Sequence, residues 1–194
     1  MMDHLTPFER HDLFNIFGLF PFSAMNFFAF GNRNLQKPTL MAFGAYTVAD
    51  IMWVLTIPKS VKDPKGIIMH HMLSLGLLTV PTLLPEYRHY AVLTLTAEFN
   101  TWLLVTKRHV TWKPLRLALE GLFYTSWVGI RLVLYPWLWS RYFTVTLRNI
   151  RNGLWIHPTI ISPIVMGSLC LMQFKWSWDL IQKYVLRRKK KGSD

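Results

Sequence analysis

The sequence predicts an all-α, polytopic membrane protein, a bundle of six transmembrane helices around a lipid-accessible central cavity, and three observations carry that prediction. The 194 residues are 52% hydrophobic and only 16% charged, against roughly a quarter charged in soluble domains. The apolar residues fall in runs long enough to cross a hydrocarbon core of about 30 Å, which takes about 20 helical residues. The charges, with a formal net of +12, sit in short clusters between those runs. Such clustering excludes a nucleic-acid-binding domain, which needs a continuous basic stripe. Cys170 is the only cysteine, so an intrachain disulfide framework and a cysteine-rich metal site are excluded as well.

Windows bounded by charge, Pro or Gly place the spans at Leu13 to Phe30, Thr39 to Ile57, Ile67 to Leu84, Tyr90 to Thr106, Leu115 to Trp139 and Leu154 to Trp178. Pro21 interrupts the first, and the fourth contains Glu98 and Asn100. Asp3, Glu9 and Asp12 around Arg10 do not form the positive start of a signal peptide, so the first run is expected to be retained. The connections are short and leave no room for a soluble domain. Residues 1–194 therefore read as one domain, ending in a basic cytosolic tail at 184–194. The connection Ser140 to Gly153 alternates Arg141, Arg148 and Arg151 with Phe143, Val145 and Leu147. It has two readings, an amphipathic piece at the interface and a solvated loop.

Lys and Arg concentrate on the side that cytoplasmic loops occupy. With six spans both termini share a side, which holds Arg10, Lys59, Lys62, Lys65, Lys107, Arg108, Lys113, Arg116, Lys183 and the run Arg187 to Lys191. The other side has only Arg33, Lys37, Arg88, Arg141, Arg148 and Arg151. Both termini are thus expected in the cytosol.

An ionisable side chain within a span costs about 2.5 to 3.5 kcal/mol on insertion scales, so it must be paired, hydrated or used. Here the spans hold Asp50, His70, His71, Glu98, Glu120 and Arg131, with the polar Tyr46, Ser74, Asn100 and Gln173 beside them. Counting about 1.5 Å per residue from the cytosolic end puts Asp50 and Ser74 near ~11 Å, the histidines near ~5 to 6 Å and Glu98 near ~12 Å. These groups share one layer, and the same count leaves Arg131 outside it, towards the far half. The expectation is a polar pocket open to the cytosol above an apolar channel sized for an acyl chain. Asp50 is expected to pair with a histidine or accept from Tyr46.

The run Ala45-Tyr46-Thr47-Val48-Ala49-Asp50, then His70-His71-Met72-Leu73-Ser74, then Glu98-Phe99-Asn100-Thr101, and Arg131 with Pro136 before a Trp-rich last span, together resemble the TLC-domain family. That family includes ceramide synthases and lipid-homeostasis proteins, and the resemblance covers about residues 40–183. It implies a six-span fold, an endoplasmic reticulum or other endomembrane setting, and membrane lipids such as a sphingoid base or phospholipid as partners. In the synthase branch a Thr follows the second His by three residues and an acidic pair comes later. Ser74 preserves that hydroxyl, but the acidic pair is missing, and Glu98 with Asn100 looks like the smaller family members.

Two functions stay open. The chain binds an acyl-chain lipid without catalysis, or it transfers an acyl group from acyl-CoA to a lipid amine or hydroxyl. In the second, His70 or His71 is nucleophile or base, and Asp50 or Glu98 orients it. Tyr46, Ser74, Asn100, Glu120, Arg131 and Gln173 are assigned to the lipid pocket. No resident cofactor or metal is expected, because a diiron lipid oxidase needs about eight ligands and the chain has seven histidines scattered over both faces.

Overall fold

The computed structural model describes residues 5–191, with side chains described to residue 183, and the described residues are mostly helical with no strand. Six crossings are built from α1 (Pro7–Ala29), α2 (Arg33–Thr56), α3 (Pro64–Leu83), the pair α4 (Arg88–Thr94) and α5 (Thr96–His109), α6 (Lys113–Ser126) continued through a π-helical segment Trp127–Leu134 into α7 (Tyr135–Arg151), and α8 (Ser162–Lys191). Four of the helical stretches are long and apolar enough to cross a membrane by composition alone: 33–56, 64–83, 113–151 and 158–183. The remaining two crossings are α1 and the broken pair α4–α5. The basic tail predicted at 184–194 lies outside the residues whose side chains are described.

Three boundaries differ from expectation, each for a local reason. α1 starts at Pro7, because Thr6 and Glu9 form a reciprocal capping box with Pro in the first turn, a strong start signal. The connection expected at Ser140 to Gly153 is instead the end of a 39-residue continuous helix. At about 1.5 Å per residue that helix runs roughly 58 Å, well beyond a hydrocarbon core. It stops where Gly153 adopts a positive φ of 80°, a conformation that favours glycine. The fourth crossing is broken at Leu95, which separates α4 from α5.

Large apolar side chains point outward, among them Phe17, Phe20, Phe27, Ile164 and Leu171. The inward stripe of α1 is His11, Asn15, Leu19, Phe22, Asn26 and Ala29, at three- and four-residue spacing. On α2 it is Gln36, Thr39, Phe43, Thr47, Asp50 and Val54. Lipid is as apolar as a core, so close packing and interhelical hydrogen bonds, not burial from water, hold such helices together. Hydroxyls of Thr39, Thr47, Thr94 and Ser177 bond carbonyls one turn back on their own helices, which satisfies these four in a medium that offers no partner. Gly18 permits the close approach of α1 to α2: a Cβ there would lie 3.1 Å from the Tyr46 ring.

Candidate functional site

Two polar knots form inside the bundle. The first joins α1, α2 and α3 around Asp50. The Asp50 carboxylate, 3% exposed, accepts from His11 Nε2 at 2.5 Å on one oxygen and from His71 Nε2 at 2.5 Å on the other. Asn15 Nδ2 lies 3.2 Å from His11 Nδ1. An amide NH₂ only donates, so His11 Nδ1 is the acceptor and its proton sits on Nε2, facing Asp50. Asn15 Oδ1 accepts a short hydrogen bond from the Tyr46 hydroxyl. The relay is thus Tyr46, Asn15, His11, Asp50, His71. At its end His71 Nδ1 is buried and finds no partner among the described residues. In a neutral imidazole holding its proton on Nε2, that atom carries the free lone pair.

His70 turns the other way, its ring edge-on to Trp176 at 5.3 Å and 5.5 Å from His71. Of the two adjacent histidines, then, one faces the carboxylate and the other faces α8.

The second knot joins α5, the π segment and α8 around Arg131, which is 5% exposed. Its guanidinium donates to Asn100 Oδ1 at 2.9 Å, to Thr101 Oγ1 at 3.0 Å, to the Ala97 carbonyl at 3.5 Å, and to Gln173 Oε1 in a short contact. It also lies over the Trp127 ring at 4.6 Å. Asn100 donates in turn to the Phe123 carbonyl and to Ser126. Arg131 therefore stands within the polar layer, beside the residues flanking Glu98, and not in the far half where residue counting put it. The count placed the backbone of Arg131 and not the end of its long side chain. Helical side chains slope back towards the N-terminus, which carries the long Arg131 side chain to the level of Asn100.

The remaining predicted residues separate. Glu98 is buried, at 8% exposed. With Ser74 and Tyr135 it lines a cavity of about 20 Å³ at the bundle centre, room for about one water. Glu120 lies apart from the pocket: its side chain is 44% exposed and its nearest cation is Lys107 at 3.9 Å. Asp12, missed by the sequence reading, is 3% exposed and pairs with Arg108 at 3.2 Å and His109 at 2.9 Å, tying α1 to the end of α5.

An acyl-sized space exists, but beside the polar layer instead of beneath it. A slot of about 580 Å³ runs between α1, α5 and the π segment, walled by Phe20, Phe27, Phe99, Trp102, Ile130 and Leu134. No charged residue lines it.

His11 is the main residue the sequence reading did not select. Its signal was the capping box, which puts His11, Asn15 and Gly18 on the first helix, all upstream of or within the run that hydropathy finds. Among the described residues, no group of His, Cys, Asp and Glu converges as a metal site would require. A family model described as the TLC domain matches residues 13–182. Neither a curated protein nor a solved structure matches the chain.

Proposed function

The chain belongs to the TLC-domain family, and on that premise we propose that it handles a membrane lipid by holding an acyl chain in the lateral slot. The observation that supports this reading is the slot's wall, which is aromatic and aliphatic, uncharged, and large enough for a chain. Sites for small lipophilic ligands have this character. The role is in lipid metabolism or homeostasis, in the endoplasmic reticulum or another endomembrane, with both termini facing the cytosol. Sphingoid-base lipids and phospholipids are the partner classes to test first. Mass spectrometry of lipid copurifying with the chain is the direct experiment. Wild type is expected to carry an acyl lipid, and Ala24→Trp, which fills the slot from α1, is expected to lose it. A folded wild type free of lipid would overturn the reading.

One observation favours a second reading, acyl transfer: the unpartnered Nδ1 of His71 backed by Asp50. In that chemistry Nδ1 attacks the carbonyl carbon of an acyl-CoA thioester, the C–S bond breaks, and Asp50 stabilises the acyl-imidazolium. A lipid hydroxyl or amine then attacks the same carbon, the C–N bond breaks, and the acceptor's proton goes to the departed thiolate through the ring. The geometry favours His71 over His70 as the nucleophile, because only His71 touches the carboxylate. Acyl-CoA is the cosubstrate of this reading. An acyl adduct mapped to His71 after incubation with acyl-CoA, absent in His71→Ala, supports catalysis; its absence from both leaves lipid binding alone.

A further inference from the structure

The central cavity and the lateral slot have one lining residue in common, Leu95. Leu95 is also the point where α4 ends and α5 begins, so the partition between the two spaces sits on the break in the fourth crossing. The spaces differ in chemistry. The slot carries no charge, whereas the cavity has Glu98 in its wall.

Glu98 is more than nine-tenths buried and stands in the wall of the cavity. The donors around it are spent elsewhere. Ser74 Oγ donates to the His70 carbonyl, Thr94 Oγ1 to the Tyr90 carbonyl, and the Tyr135 hydroxyl to the Thr94 carbonyl. A buried carboxylate without a donor is strongly disfavoured. The cavity therefore lacks a hydrogen-bond donor, and it admits a group about the size of one water.

We propose that the Glu98 cavity seats the polar end of a lipid, a terminal hydroxyl or amine, whose chain passes Leu95 into the slot. This inference rests on the slot being the chain site. A carboxylate end crowds a second carboxyl group against Glu98 in a space with no cation in its wall, and a phosphate head group exceeds the space. Leu95 is the positioning residue, since its side chain stands between the polar end and the chain, at a place where the helix is already interrupted.

The test uses the full chain in nanodiscs, with a photoreactive alkyl diazirine chain that labels the slot. Hexadecanol, hexadecylamine, palmitate and hexadecane compete for that labelling, having the same chain and different ends. Hexadecanol or hexadecylamine is expected to compete at least about tenfold better than palmitate and hexadecane, the scale of one hydrogen bond to a charged group. Whichever of the two competes better identifies the end group. Glu98→Leu is expected to abolish the preference while labelling persists, and Leu95→Trp to do the same by closing the passage. Should Glu98→Leu fail to fold, Leu95→Trp carries the test. Labelling without any end-group preference overturns this inference alone, as does a preference that survives in either variant. Wild type without slot labelling overturns the chain site as well.

Discussion

The Asp50 and Arg131 knots lie in the same layer of one bundle, yet they are built differently. Around Arg131 the charged group is the donor, four of its N–H bonds end on neutral acceptors, and the loose end is Gln173 Nε2. Around Asp50 the charged group is the acceptor, both oxygens are used, and the loose end is the nucleophilic nitrogen His71 Nδ1. An amide nitrogen left over is chemically inert, whereas an imidazole nitrogen left over beside a carboxylate is a base. The first arrangement fastens α5, the π segment and α8. The second fastens α1, α2 and α3 and also leaves a reactive atom. On the acyl-transfer reading, residues of equal burial and polarity would thus divide into structural and chemical according to which atom is unspent.

Arg131→Leu should break this contrast most severely. It strands Asn100, Thr101 and Gln173 in a dry interior, and each buried polar group left without its partner costs about 1–3 kcal/mol. The expected outcome is a large fall in thermal stability in detergent, with Arg131→Lys intermediate because a lysine lacks the planar fork. A Leu variant as stable as wild type would show that the knot fastens nothing.

Asp50→Asn is expected to have the next largest effect. It preserves shape, but the amide nitrogen faces an imidazole N–H, so one hydrogen bond to a charge is lost at about 2 kcal/mol. His71→Ala is comparable in stability, at about 2 kcal/mol for the hydrogen bond it removes from the Asp50 carboxylate, and should leave slot labelling unchanged. If the division of the two knots holds, both variants lose any acyl adduct, while Asn100→Ala loses stability and keeps the adduct. Adduct mapping and thermal unfolding on the same preparations separate the two.

Much of the fold was legible because hydropathy reads the outward faces, and in this bundle those faces are lipid-facing. The inward faces mix apolar with polar residues, and only the polar residues that interrupt an apolar run stand out in the sequence. Asp50, His71 and Glu98 were visible as charges inside apolar runs. His11 was not, because it precedes the apolar run and belongs to α1 only through the cap at Thr6. Arg131 was seen, but its depth depended on a side-chain direction that counting ignores. The slot had no signature in the chain at all, since its walls come from α1, α5 and the π segment and are ordinary lipid-facing residues until they are folded around a space.

The smallest expected effect concerns the cap that sets the register of α1. The 23 residues of α1 span about 35 Å at 1.5 Å each, more than a hydrocarbon core of about 30 Å, so its first turn lies outside the membrane. There the Thr6 backbone N–H, and after it the Thr6 hydroxyl, donates to the Glu9 carboxylate and holds its pKa below the ordinary glutamate value. A carboxyl with a lowered folded-state value stabilises the fold fully above its unfolded value of about 4.3 and loses that contribution as pH falls through the folded value. Acidification is therefore expected to loosen the start of α1 in wild type, and Glu9→Gln to remove that acid dependence. His11 and Asn15 are one and two turns further along, so the loosening should reach the Asp50 knot and leave the Arg131 knot intact. Hydrogen exchange across α1 and α8, compared between wild type and Glu9→Gln at matched pH, checks this: a mutational effect on α1 alone sustains the separation of the two knots, and an equal effect on α8 abolishes it.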